Sequence, residues 1–125
     1  MTEDERPGLA IGHVSIAVND VAEAVEIFTW QGMRLIHQSE RYAVLELRGG
    51  THVVARQADQ PIEPGTPAPF DLMVDDVAAA HRAHVAKGLE ISEIEHGNIH
   101  HWFDVTGPSG YRVRLTSSHA GTRPV

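Results

Sequence analysis

The chain has 125 residues, 42% hydrophobic and 22% charged, which is enough apolar material for one compact domain with its own core. A net charge of −7 opposes a phosphate-backbone partner, which needs a positive field. No apolar run approaches the roughly 20 residues that span a bilayer, MTEDERPGLA is not a basic-then-apolar leader, and the absence of cysteine removes thiol chemistry. A cytoplasmic protein with no nucleic-acid or membrane partner is expected.

From His13 the chain alternates. Val14, Ile16 and Val18 point one way, and His13, Ser15 and Ala17 the other. Asp20 is suited to cap a helix with Glu23 three residues on, and Val21, Ala24, Val25 and Phe28 fall on one helical face. Gly32 supplies the stop. Three strands should follow over 33–38, 41–48 and 51–56, with Gly49-Gly50 turning between the last two. The stretch 58–68, with Pro61, Pro64 and Pro67, reads as a linker between modules 10–57 and 69–117.

The second module repeats the plan. A strand over 70–75 leads to a helix from Val77 to Lys87, stopped by Gly88. Strands over 89–95, 100–105 and 111–116 follow, with Gly107-Pro108-Ser109-Gly110 turning before the last. The repetition is visible in the letters themselves. Residues 74–91 fall on 18–35 without a gap, an offset of 56 (74 − 18), matching Val18 to Val74, Asp20 to Asp76, Ala24 to Ala80 and Gly32 to Gly88.

A duplicated strand-helix-three-strand unit, headed by Gly12-His13-Val14-Ser15-Ile16-Ala17-Val18 and with Gly107-Pro108-Ser109-Gly110 before its last strand, resembles the vicinal oxygen chelate superfamily. That group includes glyoxalases, extradiol dioxygenases and bleomycin resistance proteins. The resemblance covers about residues 10–119 and implies an α+β fold. In it two tandem βαβββ modules form a pseudo-twofold curved sheet around one cavity, commonly in a homodimer. In metal-dependent members a divalent ion takes ligands from the first and last strand of each module. Carried over, those positions are His13, Val54, Pro69 and Arg114. Only His13 can ligate, and a guanidinium is never a ligand. No cofactor is therefore favoured.

Alternation also names the side chains that should share the cavity: His13, Tyr42, Glu46, His52, Asp71, His100, Trp102, Asp104, Arg112 and Arg114. Arginines beside an aromatic wall suit a small carboxylate- or aromatic-bearing ligand. The first reading is thus a small-molecule binding protein whose metal site has decayed. A second is a lyase, isomerase or dioxygenase-type enzyme with a divalent metal on a relocated set of His13, His52 and His100 or His101. In that case His13 or His52 is also the candidate for proton transfer. A third is a regulatory or scaffold domain whose cavity is filled by Arg114 pairing with Asp104 or Glu46. His81 and His84 should pack under the second helix, and His119 could close one mouth of the pocket.

Overall fold

In a computed structural model, residues 4–118 and Arg123 are described; His119 lies outside them. The first module is β1 (His13–Val18), α1 (Val21–Gln31), β2 (Arg34–Gln38), β3 (Tyr42–Glu46) and β4 (His52–Gln57). The second is β5 (Leu72–Val74), α2 (Val77–Lys87), β6 (Glu95–His96), β7 (His101–Thr106) and β8 (Arg112–Ser117). Single 3-10 turns at Arg48–Gly50 and Pro108–Gly110 precede β4 and β8. Among the described residues no helix is long and apolar enough to cross a membrane.

The repeated letters do repeated jobs. Asp20 Oδ1 accepts from the Glu23 backbone N–H at 3.2 Å, and Asp76 Oδ1 accepts from that of Ala79 at 3.0 Å. Each therefore satisfies one of the donors a helix start leaves open. Gly32 and Gly88 take left-handed φ values of 118° and 86°, so the chain reverses while their N–H groups meet the last carbonyls. Strand alternation holds as well. Ile16, Val18, Ala43, Leu45, Val53 and Ala55 are buried against α1, while Phe103, Val105, Val113 and Leu115 are buried in the second module. His84 is buried at 4% exposure, as its position on the inner helical face requires.

The strands form two four-stranded sheets, ordered β1-β4-β3-β2 and β5-β8-β7-β6. The α+β class and both modules are present, but the curved sheet around one cavity is not: neither sheet is closed or strongly curled. The strands at the edges explain this. β5 has three residues instead of the six expected over 70–75. Of the strand expected over 89–95, an isolated Ile91–Val105 bridge and the two-residue β6 remain. Strands that short cannot supply the tilted, staggered pairing that closure requires.

The modules meet instead through side chains and turns. Tyr111 donates its hydroxyl to the Ala17 carbonyl at 2.6 Å. Ser109 Oγ accepts from the Asn19 N–H at 2.7 Å, and the Ser109 N–H donates to Glu23 at 2.8 Å. Phe28 packs on Phe70, and Trp30 meets His84 edge-on at 4.7 Å. The bridge between modules lies along β8, with paired backbone bonds of 2.9 Å linking Thr66 and Ala68 to Arg112. One buried cluster runs through both modules.

Phe28→Ala should therefore cost about 3–5 kcal/mol, the usual range for emptying a buried aromatic site. With Trp30→Phe as background, Trp102 alone reports the second module; its urea midpoint should fall with the rest, and an unmoved Trp102 transition would mean the modules unfold separately. Burial raises the Tyr111 phenol above its ordinary 10.0. A folded pKa above the unfolded one gives stability that is complete below the unfolded value and lost as pH rises through the folded one. Tyr111→Phe should thus lose less stability than wild type as pH rises through the ordinary phenol range and into the raised range of the folded phenol, read as urea midpoints.

Candidate functional site

The first sheet carries a chain of paired charges on the face away from α1. β1 and β4 run parallel with His13 opposite His52, and the two rings stack with centroids 5.7 Å apart at 27°. Glu46 stands opposite His52 on β3, its Oε2 3.2 Å from His52 Nε2. Arg34, opposite Glu46 on β2, pairs with the other carboxylate oxygen. A line Arg34–Glu46–His52 thus crosses three neighbouring strands. The carboxylate thus lies between a guanidinium and an imidazole, within ion-pair distance of both. Tyr42 lies on the same sheet face, exposed, with its ring 5.0 Å from that of His37.

The second sheet carries the arginines. Asp104 and Arg114 are register partners across β7 and β8. Arg114 donates from Nε to Asp104 Oδ1 at 2.9 Å and from Nη2 to Oδ2 at 3.3 Å. Arg112 Nε lies 3.9 Å from the same carboxylate. The Arg114 guanidinium also covers the Trp102 ring, 5.1 Å from its centre, as a cation over an aromatic face. The hydrogen bond to Asp104 holds Arg114 still more firmly protonated; burial opposes this, and the charges of Asp104 and Asp71 support it. The Arg114 side chain nevertheless keeps 42% of its surface exposed, so its remaining N–H groups reach solvent.

The histidines do not converge as a relocated metal site requires. His100 lies in the turn before β7, its carbonyl accepting from the Gly97 N–H at 2.8 Å, and not on a strand as expected. His101 opens β7 and pairs Nδ1 to Nδ1 with His96 at 2.8 Å. His13 and His52 stack, so their in-plane lone pairs lie in separate planes. Among the described residues no group of three or more His, Cys, Asp or Glu could hold a metal ion. At the inherited positions, Val54 and Pro69 offer no donor side chain, Pro69 falls short of β5, and Arg114 brings positive charge. That residue set does not fit a divalent cation.

A cleft of about 820 Å³ opens elsewhere, between the modules. Its walls include Ile11, Val14, Met33, Leu47, Phe70 and Met73, and of the side chains expected in the cavity Asp71 lines it together with Met73, its same-face neighbour. Arg48 and Asp75 form a double hydrogen bond, 3.0 Å each, between two residues of its lining, one from each module. Reading the sequence missed this cleft, Arg34 as the partner of Glu46, and the His96–His101 pair. It also passed over Gln31, although adding three to the apolar series ending at Phe28 puts a polar residue on the helix's inward stripe.

The model of the Glyoxalase/Bleomycin resistance protein/Dioxygenase superfamily matches residues 10–115. Among solved structures, lactoylglutathione lyase from Agrobacterium tumefaciens is similar at a TM-score of 0.74 and 13% identity, covering 91% of this chain and 97% of that one. TnmS3, an antibiotic binding protein from Streptomyces sp. CB03234, is similar at 0.74 and 18%, covering 90% and 98%. A glyoxalase/bleomycin resistance protein/dioxygenase from Alicyclobacillus acidocaldarius is similar at 0.69 and 18%, covering 90% and 93%. At such identities the likeness is one of fold, and a lyase and a binding protein share it equally. No match among curated proteins was found. With a family model spanning all but the two ends, and two strand-helix-three-strand modules in the matching order, the chain belongs to the glyoxalase/bleomycin resistance protein/dioxygenase superfamily.

Proposed function

We propose that this protein binds a small aromatic anion without a metal, on the sheet face that carries Trp102, Arg112 and Arg114. The observation that carries the reading is Arg114 itself. It stands where a metal-dependent relative would place an anionic oxygen ligand, is held in place by Asp104, and lies over Trp102. An arginine fixed at its Nε edge presents its other N–H groups in a constant direction. Less conformational freedom is then lost when a carboxylate docks. The guanidinium, planar and backed by the indole, is itself a flat cationic surface on which an aromatic ring can stack. A relative described as an antibiotic binding protein has the same fold, which supports a binding role without naming the ligand.

A second copy of the chain completes the site in this reading. The polar faces of both sheets are open in a single copy, with Tyr42 and Met73 among the exposed large apolar side chains. A ligand on one open sheet face would be half covered, whereas typical small-molecule sites enclose most of their ligand.

Thermal melting in the presence of 2-naphthoate tests the assignment. At about a hundredfold excess over Kd, a ligand bound only by the folded state stabilises it by about 2.7 kcal/mol, visible as a raised Tm. Wild type should show the rise, and Trp102→Ala and Arg114→Gln should lose most of it. A rise that survives both substitutions, or that needs an added divalent ion, would contradict the reading.

A further inference from the structure

The cleft between the modules is lined by none of Trp102, Arg112 or Arg114, and its chemistry differs from that of the arginine face. Its lining side chains are mostly aliphatic, aromatic or thioether. Its charges largely cancel: Arg48 and Asp75 neutralise each other, and Asp71 lies within electrostatic reach of Arg114. At about 820 Å³ it is within the range of small-molecule sites, about 300–1,000 Å³. Ile11, 64% exposed, and Met73, 47% exposed, are lining residues left uncovered by the rest of the chain. Methionine's unbranched, polarisable side chain adapts to varied apolar shapes.

One polar atom of a lining residue is unmatched. His84 Nδ1 donates to the Ala80 carbonyl at 2.7 Å, so in the neutral ring Nε2 carries the lone pair. That lone pair faces Gln31 Nε2 at 3.1 Å, which makes the amide nitrogen the donor and fixes which end of the Gln31 amide is oxygen. Gln31 Oε1 is then buried with no hydrogen-bond partner, the one such side-chain atom among the described residues. Buried acceptors are ordinarily satisfied, and an orphan calls for a cause. Gln31 lines the cleft, and the last torsion of a glutamine is soft, so a donor delivered into the cleft can be met by a small turn of the amide.

We infer that the inter-module cleft is a second binding site, for a neutral, largely apolar molecule carrying one hydrogen-bond donor that Gln31 Oε1 accepts. This site stands independently of the anion-binding reading: it uses none of Trp102, Arg112 or Arg114, and it favours uncharged ligands where that face favours anions.

Indole and benzofuran are matched probes, similar in shape and differing in the N–H donor. Calorimetric titration of wild type should show saturable binding of both, with indole tighter by about tenfold, a single relieved hydrogen bond. Gln31→Met should erase that preference while keeping apolar contact. Ile11→Asp, at an exposed position, should weaken both probes, and Trp102→Ala should leave both unchanged. Should Gln31→Met fail to fold, Ile11→Asp and Trp102→Ala still decide whether the probes sit in the cleft. Equal affinity of the two probes in wild type, no saturable indole binding, or binding lost with Trp102→Ala and retained with Ile11→Asp would each overturn the assignment.

Discussion

Asp104 and Arg114 face each other across two hydrogen-bonded strands, and the character of the second sheet's open face follows from that pairing. A carboxylate at position 114 beside Asp104 would place two like charges side by side, a situation usually relieved by a cation. A guanidinium there relieves it internally. The pair is neutral, hydrogen-bonded through two N–H groups and backed by an indole, so the face has no unmet need for a metal ion. What the face presents to solvent is the outer edge of Arg114 and its neighbour Arg112, and both are donors.

The same substitution separates the two halves of a duplicated chain. Each module keeps the aspartate cap, the glycine stop and the apolar strand face, because each must cover one sheet with one helix. On the opposite faces nothing enforces identity, and the modules have diverged. The first carries stacked imidazoles beside an arginine–glutamate pair, and the second an arginine–aspartate pair over tryptophan. Truncated edge strands in the second module accompany that divergence, and with them goes any continuous wall from one sheet to the other.

Much of this was legible in the letters. The period-two alternation of 13–18 put Val14, Ile16 and Val18 on one face, which is the less exposed face of β1, and the cap and stop residues located both helices. For Arg114 the sequence left Asp104 and Glu46 open as partners, and the β7–β8 register selects Asp104. Three features were not legible, for separate physical reasons. Register on β2 is broken by an irregularity between Leu35 and His37, which hid Arg34 opposite Glu46. The turn that joins His96 to His101 is marked by Gly97-Asn98, but it extends through Ile99 to His100, so its length rather than its position hid His100 from view. The cleft is made by how two modules lean together, which no local pattern encodes; its only trace in the sequence was glutamine on an apolar stripe.

The account stands on residue 114 being committed to a neighbouring carboxylate in a site that no longer serves a cation. A crystal grown with excess manganese and examined by anomalous scattering tests this most directly. The account predicts no manganese peak at His13 or on the Trp102 face, with the Arg114 side chain still gripping Asp104. A peak coordinated by His13 together with Asp104, and the arginine turned out to solvent, would contradict it.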